Sequence, residues 1–419
     1  MGTASTSNYL SRRAAEPIRE ALGDTRVVLV NGARQSGKST LVRRIGRSIG
    51  AVWYTLDDAA TRQHAADDPT EFVRLDEHMI IDEVQRDPDL LLSIKALVDE
   101  EPEPGRFLLT GSARVLGLRD LPDTLIGRME TVELWPLSQG EIDGTPDGFI
   151  DAAFSLGPEL RHESKITRNE YIERIVRGGF PEAVRRSERR RAAYLVGYVA
   201  DLINRDVMRL SEIERGPEMH ALVRTLAGRS GQTISLAGIG SSIELDHKTV
   251  QRYLRLLEEV FLVKRVPPWT RRISSRGTGQ SKVAFVDSGV AAAVLGMGAA
   301  RLRKPGAPLG GLLEGFVAME IARQLSWSTT DATMTHFRTK DRVEVDIVLE
   351  NRLGEVIGIE VKASSTPVPG DFRGLHHLAA RVGDDFIAGY VLHMGAHTLP
   401  AGPKMRSVPV SALWQVGAP

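Results

Sequence analysis

Short apolar runs alternate with helical patterns through the first part of the chain. Val27 to Val30, Met79 to Ile81 and Phe107 to Leu109 read as strands, and Thr40 to Ile45 as part of a helix. Such alternation predicts a parallel sheet. Between Asp143 and Gly157 the sequence turns rich in Gly, Asp and Pro (DGTPDGFIDAAFSLGP), which predicts a linker or long loop. From Thr167 to Val260 the pattern is mostly helical. Its last part, TISLAGIGSSIELDHKTVQRYLRLLEEV, reads as helix, turn, helix. There Asp246 is placed to cap a helix whose Val250, Tyr253, Leu254 and Leu257 recur at three and four, and the extended stretch Phe261 to Val266 follows, a winged-helix pattern. After Pro267 and Pro268 come apolar strands at Val283 to Val286, Val343 to Leu349, Val356 to Val361 and Ile387 to Leu392. The helical pattern LLEGFVAMEIARQL lies between the first two, predicting a mixed α/β domain. The expected division is therefore 1–150, 151–268 and 269–419.

Composition narrows the classes. The 419 residues are 42% hydrophobic and 26% charged, which excludes a disordered or collagen-like chain. With no cysteine, disulfide frameworks, thiolate zinc sites and cysteine nucleophiles are excluded too. No apolar stretch is long enough to span a bilayer. The N-terminal MGTASTSNYLSRRAAEP has no apolar core behind its charges, so it does not read as a secretory signal, and a cytoplasmic protein without membrane partners is expected. Lys+Arg and Asp+Glu balance at 54 each, which argues against a wholesale polyanion binder. The basic residues nevertheless cluster at Arg185, Arg186, Arg189, Arg190 and Arg191 and at Lys264, Arg265, Arg271, Arg272 and Arg276, either as local patches or as solvated faces. Lys248, Arg252 and Arg255 would serve the second helix of the winged-helix pattern in a DNA groove; the alternative is a packing or protein-contact module.

The strongest chemical signal is Gly32-Ala33-Arg34-Gln35-Ser36-Gly37-Lys38-Ser39-Thr40, which follows the strand RVVLV and opens a helix, as a P-loop must. Its glycines let backbone N–H groups wrap the phosphates of ATP. The helix N-terminus adds a positive dipole end, Lys38 neutralises the β and γ phosphates, and Ser39 ligates Mg²⁺. The matching half of such a site is an apolar strand ending in a magnesium carboxylate, supplied by Met79-Ile80-Ile81-Asp82. Glu83 next to it is placed to polarise the attacking water. A third strand ends in Thr110-Gly111-Ser112, where the Thr110 hydroxyl is a candidate γ-phosphate sensor; the alternative is a plain turn. Arg128, in LIGRMETVEL, is a candidate arginine finger for its own site or a neighbour's, with Arg205 in LINRDV as competitor; the alternative for either is a structural salt-bridge partner.

In the third region Glu344 to Leu349, a turn at Asn351 to Gly354, and Val356 to Lys362 read as a hairpin. Alternation puts Glu360 and Lys362 on one face, and pairing can bring Asp346 to it. Carboxylates bind Mg²⁺ as hard oxygen ligands, and a lysine beside the metal can orient or deprotonate water. The alternative is a surface hairpin with charges on its outward face. His376 and His377 follow the hairpin but point apart on a helix, so at most one could approach the same site and both read as structural; His393 and His397 lack a partnering acid motif and do not read as zinc ligands.

The motif series GARQSGKST, IIDEVQRDPDLL, LLTGSARVL, GRMETVELWPLS, GGFPEA and LINRDV, continuing to the hairpin, covers most of residues 20–365. It resembles the bacterial AAA+-like ATPases that carry a C-terminal domain of unknown function. The resemblance implies an α/β P-loop NTPase core with a parallel sheet, a helical and winged-helix region, and a mixed α/β restriction-endonuclease-like end domain. The pattern of Asp346, Glu360 and Lys362 is similar to that of the PD-(D/E)XK nucleases. Glu314 on the preceding helix matches the position of a further metal ligand there, with Glu320 as the alternative. The expectation is a Mg²⁺-dependent ATPase whose nucleotide cycle regulates a DNA-binding, nuclease-like module. The alternative is a nucleotide-dependent switch that recruits a protein partner through an inactive docking domain. Further copies of the chain are candidate partners, because such ATPases often share arginine fingers.

Overall fold

The computed structural model describes residues 9–112, 125–207, 216–271 and 279–418, the side chain of Asp206 apart. It divides into two compact units, one of residues 1–137 with 259–261, the other of 138–258 with 262–419.

The first unit is built on a five-stranded sheet. Its strands are β1 (Val27–Asn31), β2 (Val52–Thr55), β3 (Met79–Asp82), β4 (Phe107–Gly111) and β5 (Met129–Glu133), in spatial order β2-β3-β4-β1-β5. Every pairing is parallel. Parallel strands need crossovers, and helices covering both faces make the strands apolar on both sides. Val28 and Val30 accordingly face a core with Ile18 and Leu22 of the helix Ala15–Asp24 and with Leu41, Val42 and Ile45 of the helix Lys38–Ile49. Val27 and Leu29 face the opposite core, with Leu90, Ile94 and Leu97 of the helix Leu90–Glu100. Because all strands run one way, Asn31, Thr55, Asp82, Gly111 and Glu133 end along one edge of the sheet. β2 and β5 were not among the strands expected from the apolar runs: β2 is partly exposed, and Glu130 and Glu133 interrupt β5.

The second unit opens with a capping box at Ser138 and Glu141. The stretch expected to be a linker instead holds the helix Phe149–Leu156, whose Phe149, Ile150, Ala152 and Ala153 are buried. Gly and Pro stand at its ends, so the breaker residues mark its boundaries and not a loop. Helices follow at Arg168–Arg177, Glu188–Asp201, Gly216–Gly228, Leu236–Ser242 and His247–Glu259. The last two form the expected helix-turn-helix, with Val250, Tyr253, Leu254 and Leu257 buried and Lys248, Arg252 and Arg255 exposed. Next comes an antiparallel ribbon of β6 (Val263–Val266) and β7 (Lys282–Phe285). Of the second basic cluster, Arg265 is ion-paired with Glu258 at 2.5 Å, and Arg272 and Arg276 lie outside the described residues.

A mixed six-stranded sheet completes this unit. It comprises β8 (Ala332–Arg338), β9 (Glu344–Asn351), β10 (Val356–Lys362), β11 (Phe386–His393), β12 (Leu399–Pro400) and β13 (Met405–Pro409), in order β12-β13-β11-β10-β9-β8. β9 and β10 are the expected hairpin. The helix Arg373–Val382 carries the chain from β10 to the parallel β11, burying Leu375, Leu378 and Val382 against the sheet. The helix Leu309–Gln324 is buried almost all round and holds the ion pair Glu320–Arg323 at 2.8 Å. Among the described residues no helix is long and apolar enough to cross a membrane.

A Cβ on Gly374 would lie 2.0 Å from the Glu344 carbonyl oxygen, so the helix Arg373–Val382 meets β9 at backbone distance. Gly374→Ala is expected to lower stability by about 1–3 kcal/mol, as overpacking does. A shifted chemical-denaturation midpoint would show it, and an unchanged midpoint would mean the helix can move off the strand.

Candidate functional site: a phosphate cradle and a carboxylate pocket

The loop between β1 and the helix Lys38–Ile49 contains all of Gly32 to Gly37. It is tight at both ends. A Cβ on Gly32, at φ +158°, would stand 2.2 Å from the Leu134 carbonyl oxygen, and Gly37 takes the left-handed φ of 98° as the helix begins. Asn31 Oδ1 accepts a hydrogen bond from Gly32 N at 3.0 Å. Gln35 adopts a left-handed φ of 62°, Ser36 is buried with no partner for its hydroxyl, Ala33 is buried, Arg34 is half-buried and Thr40 is exposed. A buried hydroxyl without a partner beside a helix N-terminus is a place where a ligand oxygen completes the hydrogen bonding.

Lys38 is buried, and its ammonium donates to the carbonyls of Gly32 and Ala33, each at 2.9 Å. Burial lowers its pKa to about 8, opposed by the charges of Glu83 and Asp82. Ser39, the next residue, donates to Asp82 Oδ1 at 3.0 Å and lies 3.2 Å from Oδ2. Asp82 ends β3, and Thr110 is the last residue but one of β4, the strand between β3 and β1. The Thr110 hydroxyl donates to Asp82 and accepts from Glu83 N at 3.0 Å. Burial raises the Asp82 pKa, against the hydrogen bonds from Thr110 and Ser39. Glu83 has a left-handed φ of 59°, a conformation that costs a non-glycine residue roughly 1 kcal/mol or more and recurs at functional sites.

Two residues that sequence reasoning missed brace this edge. Gln85 Nε2 donates to Glu83 Oε2 and, at 2.9 Å, to Ser112 Oγ, so it fixes the glutamate. Arg12 donates to the carbonyls of Ser36 at 2.7 Å and Trp135 at 2.6 Å, tying the loop to the segment after β5. Gln85 lay inside a motif already singled out, whereas nothing in the sequence near Arg12 signals its role.

Arg128 is not brought to its own phosphate site. Met129 pairs with Val27, so Arg128 stands at the amino edge of the sheet, a strand length or about 15 Å from the loop, and it is ion-paired with Asp99. The parallel direction of β5 rules it out as a finger in its own chain, and its pairing with Asp99 matches the alternative of a structural salt bridge. Arg205 is exposed in a π-helical turn, Leu202–Val207, of the second unit.

In the second unit Glu314, Asp346, Glu360 and Lys362 line one cavity of about 290 Å³, with Arg342 and Arg373 at its wall. Glu320 is not there; its carboxylate is fully buried and accepts from Gln139 N at 2.9 Å besides its arginine. Asp346 Oδ2 accepts from Val361 N at 2.9 Å, and Lys362 Nζ stands 3.3 Å from Glu360 Oε2. Lys282, unnoticed in the sequence, enters from β7 and donates to Asp346 Oδ1 at 2.6 Å, with Glu314 at 4.0 Å. Burial and then the charge of Asp346 push Glu314 up to about 8 and Glu360 up to about 9. Asp346 resists burial and stays below the usual carboxylate range because Lys282 lies against it. Among the described residues no three imidazole or carboxylate groups stand placed to hold a metal ion. His376 and His377 are exposed on the helix Arg373–Val382.

Residues 24–143 match the family model of an AAA domain, and 168–301 and 309–413 match two domains of unknown function, DUF8612 and DUF4143. An uncharacterised protein of Mycobacterium tuberculosis is 29% identical over 411 residues, 97% of this chain and 85% of its own length. An uncharacterised protein of Haemophilus influenzae is 23% identical over 52% of this chain and 51% of its own. Among solved structures, a Walker-type ATPase of Pyrococcus abyssi aligns at 13% identity and TM-score 0.43 over 69% of this chain and 97% of its own. The RuvB Holliday junction branch migration motor of Thermotoga maritima aligns at 19% and 0.30 over 61% and 89%. The AAA-domain match spans the sheet and every residue of the phosphate cradle, and it supports an AAA+-like ATPase.

A lysine that must be charged to meet phosphate, and whose pKa in the free protein is about 8, makes nucleotide binding take up a proton above that pH. Affinity for ADP is therefore expected to be flat below pH 8 and to fall above it, by no more than about tenfold per pH unit. Fluorescent-nucleotide titration from pH 6.5 to 9.5 checks this; a flat profile throughout would show that Lys38 stays charged in the free site.

Proposed function

We propose that the chain binds and hydrolyses ATP with Mg²⁺, and that its nucleotide cycle regulates the attached DNA-binding, nuclease-like module. The observation that carries the hydrolysis reading is one hydrogen-bonded chain at the carboxyl edge of the sheet, from Ser39 through Asp82 and Thr110 to the backbone of Glu83. Backbone N–H groups of residues 32–40 receive the phosphates at the helix N-terminus. Lys38 exchanges its two carbonyl partners for β and γ phosphate oxygens. Ser39 and Asp82 offer the oxygen donors a magnesium ion takes, and such an ion, when bound, neutralises charge between those phosphates. Glu83, held by Gln85, polarises the attacking water, and Thr110 senses the γ-phosphate. Arg128, at the far edge of the sheet, takes no part in its own site.

The DNA part of the reading rests on Lys248, Arg252 and Arg255, which share an exposed helix face at spacings of four and three. The second reading, a nucleotide-dependent switch with an inactive docking domain, is favoured by the lysine seated among the carboxylates of the C-terminal pocket.

Steady-state ATP hydrolysis with Mg²⁺, with and without single- and double-stranded DNA, tests the proposal. Lys38→Ala is expected to abolish nucleotide binding. Glu83→Gln is expected to keep binding and lose turnover by about 100-fold or more, the scale of a lost general base. Stimulation by DNA supports the DNA-coupled cycle, and hydrolysis indifferent to DNA favours the protein-docking reading. Reversing the charges at 248, 252 and 255 is expected to weaken DNA binding and flatten its salt dependence; unchanged binding removes that helix from the interface.

A further inference from the structure

The C-terminal pocket holds carboxylates in the pattern expected of a metal site, yet each has a protein partner. Asp346 spends one oxygen on Lys282 and the other on Val361 N, Glu314 faces Lys282, and Glu360 faces Lys362. The Lys282 side chain is only 6% exposed, so its ammonium is not a solvated surface charge folded back by chance. Its backbone is also fixed. Val283 N donates to Gln232 O at 3.2 Å and Val283 O accepts from Gly231 N at 2.8 Å, Ser281 O accepts from Ile234 N at 3.2 Å, and Gln280 O lies 3.0 Å from His336 Nε2. The strand carrying Lys282 is thus clamped between the segment that leads into the helix-turn-helix and the C-terminal sheet.

A divalent ion on Asp346 Oδ1 would sit about 2.1 Å from that oxygen. The Lys282 ammonium, 2.6 Å from the same oxygen, would then be within about 5 Å of a second, doubly charged cation. The two cations would compete for this carboxylate, and the ammonium charge would oppose binding of the metal in the arrangement described. As it stands, therefore, an internal cation already holds the Asp346 oxygen that a resident metal would take.

We propose that the Lys282 ammonium is the built-in counter-ion of this pocket, standing where a divalent cation would bind, and that the pocket takes such a cation only when Lys282 is withdrawn. The inference concerns the pocket of the nuclease-like reading, but it does not depend on cleavage or on the nucleotide site.

The test is Mn²⁺ binding to the full chain without nucleotide, by calorimetry, with Asp346→Asn as the blank that isolates this pocket from Ser39 and Asp82. The wild type and Lys282→Arg are expected to show no Asp346-dependent binding. Lys282→Met, which keeps the stem and removes the charge, is expected to gain an Asp346-dependent site at least tenfold tighter than any in the wild type. If Lys282→Met is unfolded alone, Mn²⁺ is expected to restore its folding and its melting transition while leaving those of the wild type unchanged. Equal Asp346-dependent binding by wild type and Lys282→Met would overturn the proposal, since lysine and metal would then coexist. A Lys282→Met protein that neither binds Mn²⁺ nor is restored by it would overturn it as well.

Discussion

The carboxylate of Asp82 is the constraint on which the nucleotide-site geometry rests. Burying a carboxylate is unfavourable unless hydrogen bonds hold it, and here Ser39 does so from the start of a helix and Thr110 from the end of a neighbouring strand. The requirement fixes which elements must meet. β4 has to lie between β1 and β3, so that its last residues reach both the loop and the acidic strand end, and the sheet order β2-β3-β4-β1-β5 provides that. Glu83 inherits its position from the same network through the bond from its N–H to Thr110. Gln85 then decides where its side chain points.

Compensation of buried charge takes a different form in the C-terminal pocket. At the phosphate cradle, acid and base are kept apart: Lys38 rests on carbonyl oxygens while Asp82 rests on hydroxyls, so both are available to a ligand. In the pocket beside β9 and β10, ammonium and carboxylate groups are paired with one another. The first arrangement leaves both charges open to a ligand, and in the second each charge already has a protein partner.

What the sequence made legible were features in which consecutive residues carry the chemistry. The P-loop, the strand ending in Asp82 and Glu83, and the β9–β10 hairpin are each short runs whose period or spacing suffices, and they lie where they were expected. Contacts between distant segments were not legible. Lys282 meets Asp346 from 64 residues away, and Arg12 reaches Trp135 across 123. Arg128 sits inside a motif, but the direction of β5 decides which edge of the sheet it occupies, and a motif carries no such information. The helix Phe149–Leu156 hid behind the glycines and prolines at its ends, and β8, β12 and β13 lacked the continuous apolar run by which β9, β10 and β11 were recognised.

The central claim is that Asp82, Thr110 and Glu83 act as one unit at the nucleotide. Single-turnover hydrolysis of ATP by Thr110→Val measures this most directly, because valine keeps the shape of the threonine and removes only the hydroxyl that joins the two acids. The account predicts that nucleotide binding is retained while the hydrolysis step slows by about tenfold or more, the loss of a charge-assisted hydrogen bond at a catalytic group. A hydrolysis step unchanged from the wild type would contradict it.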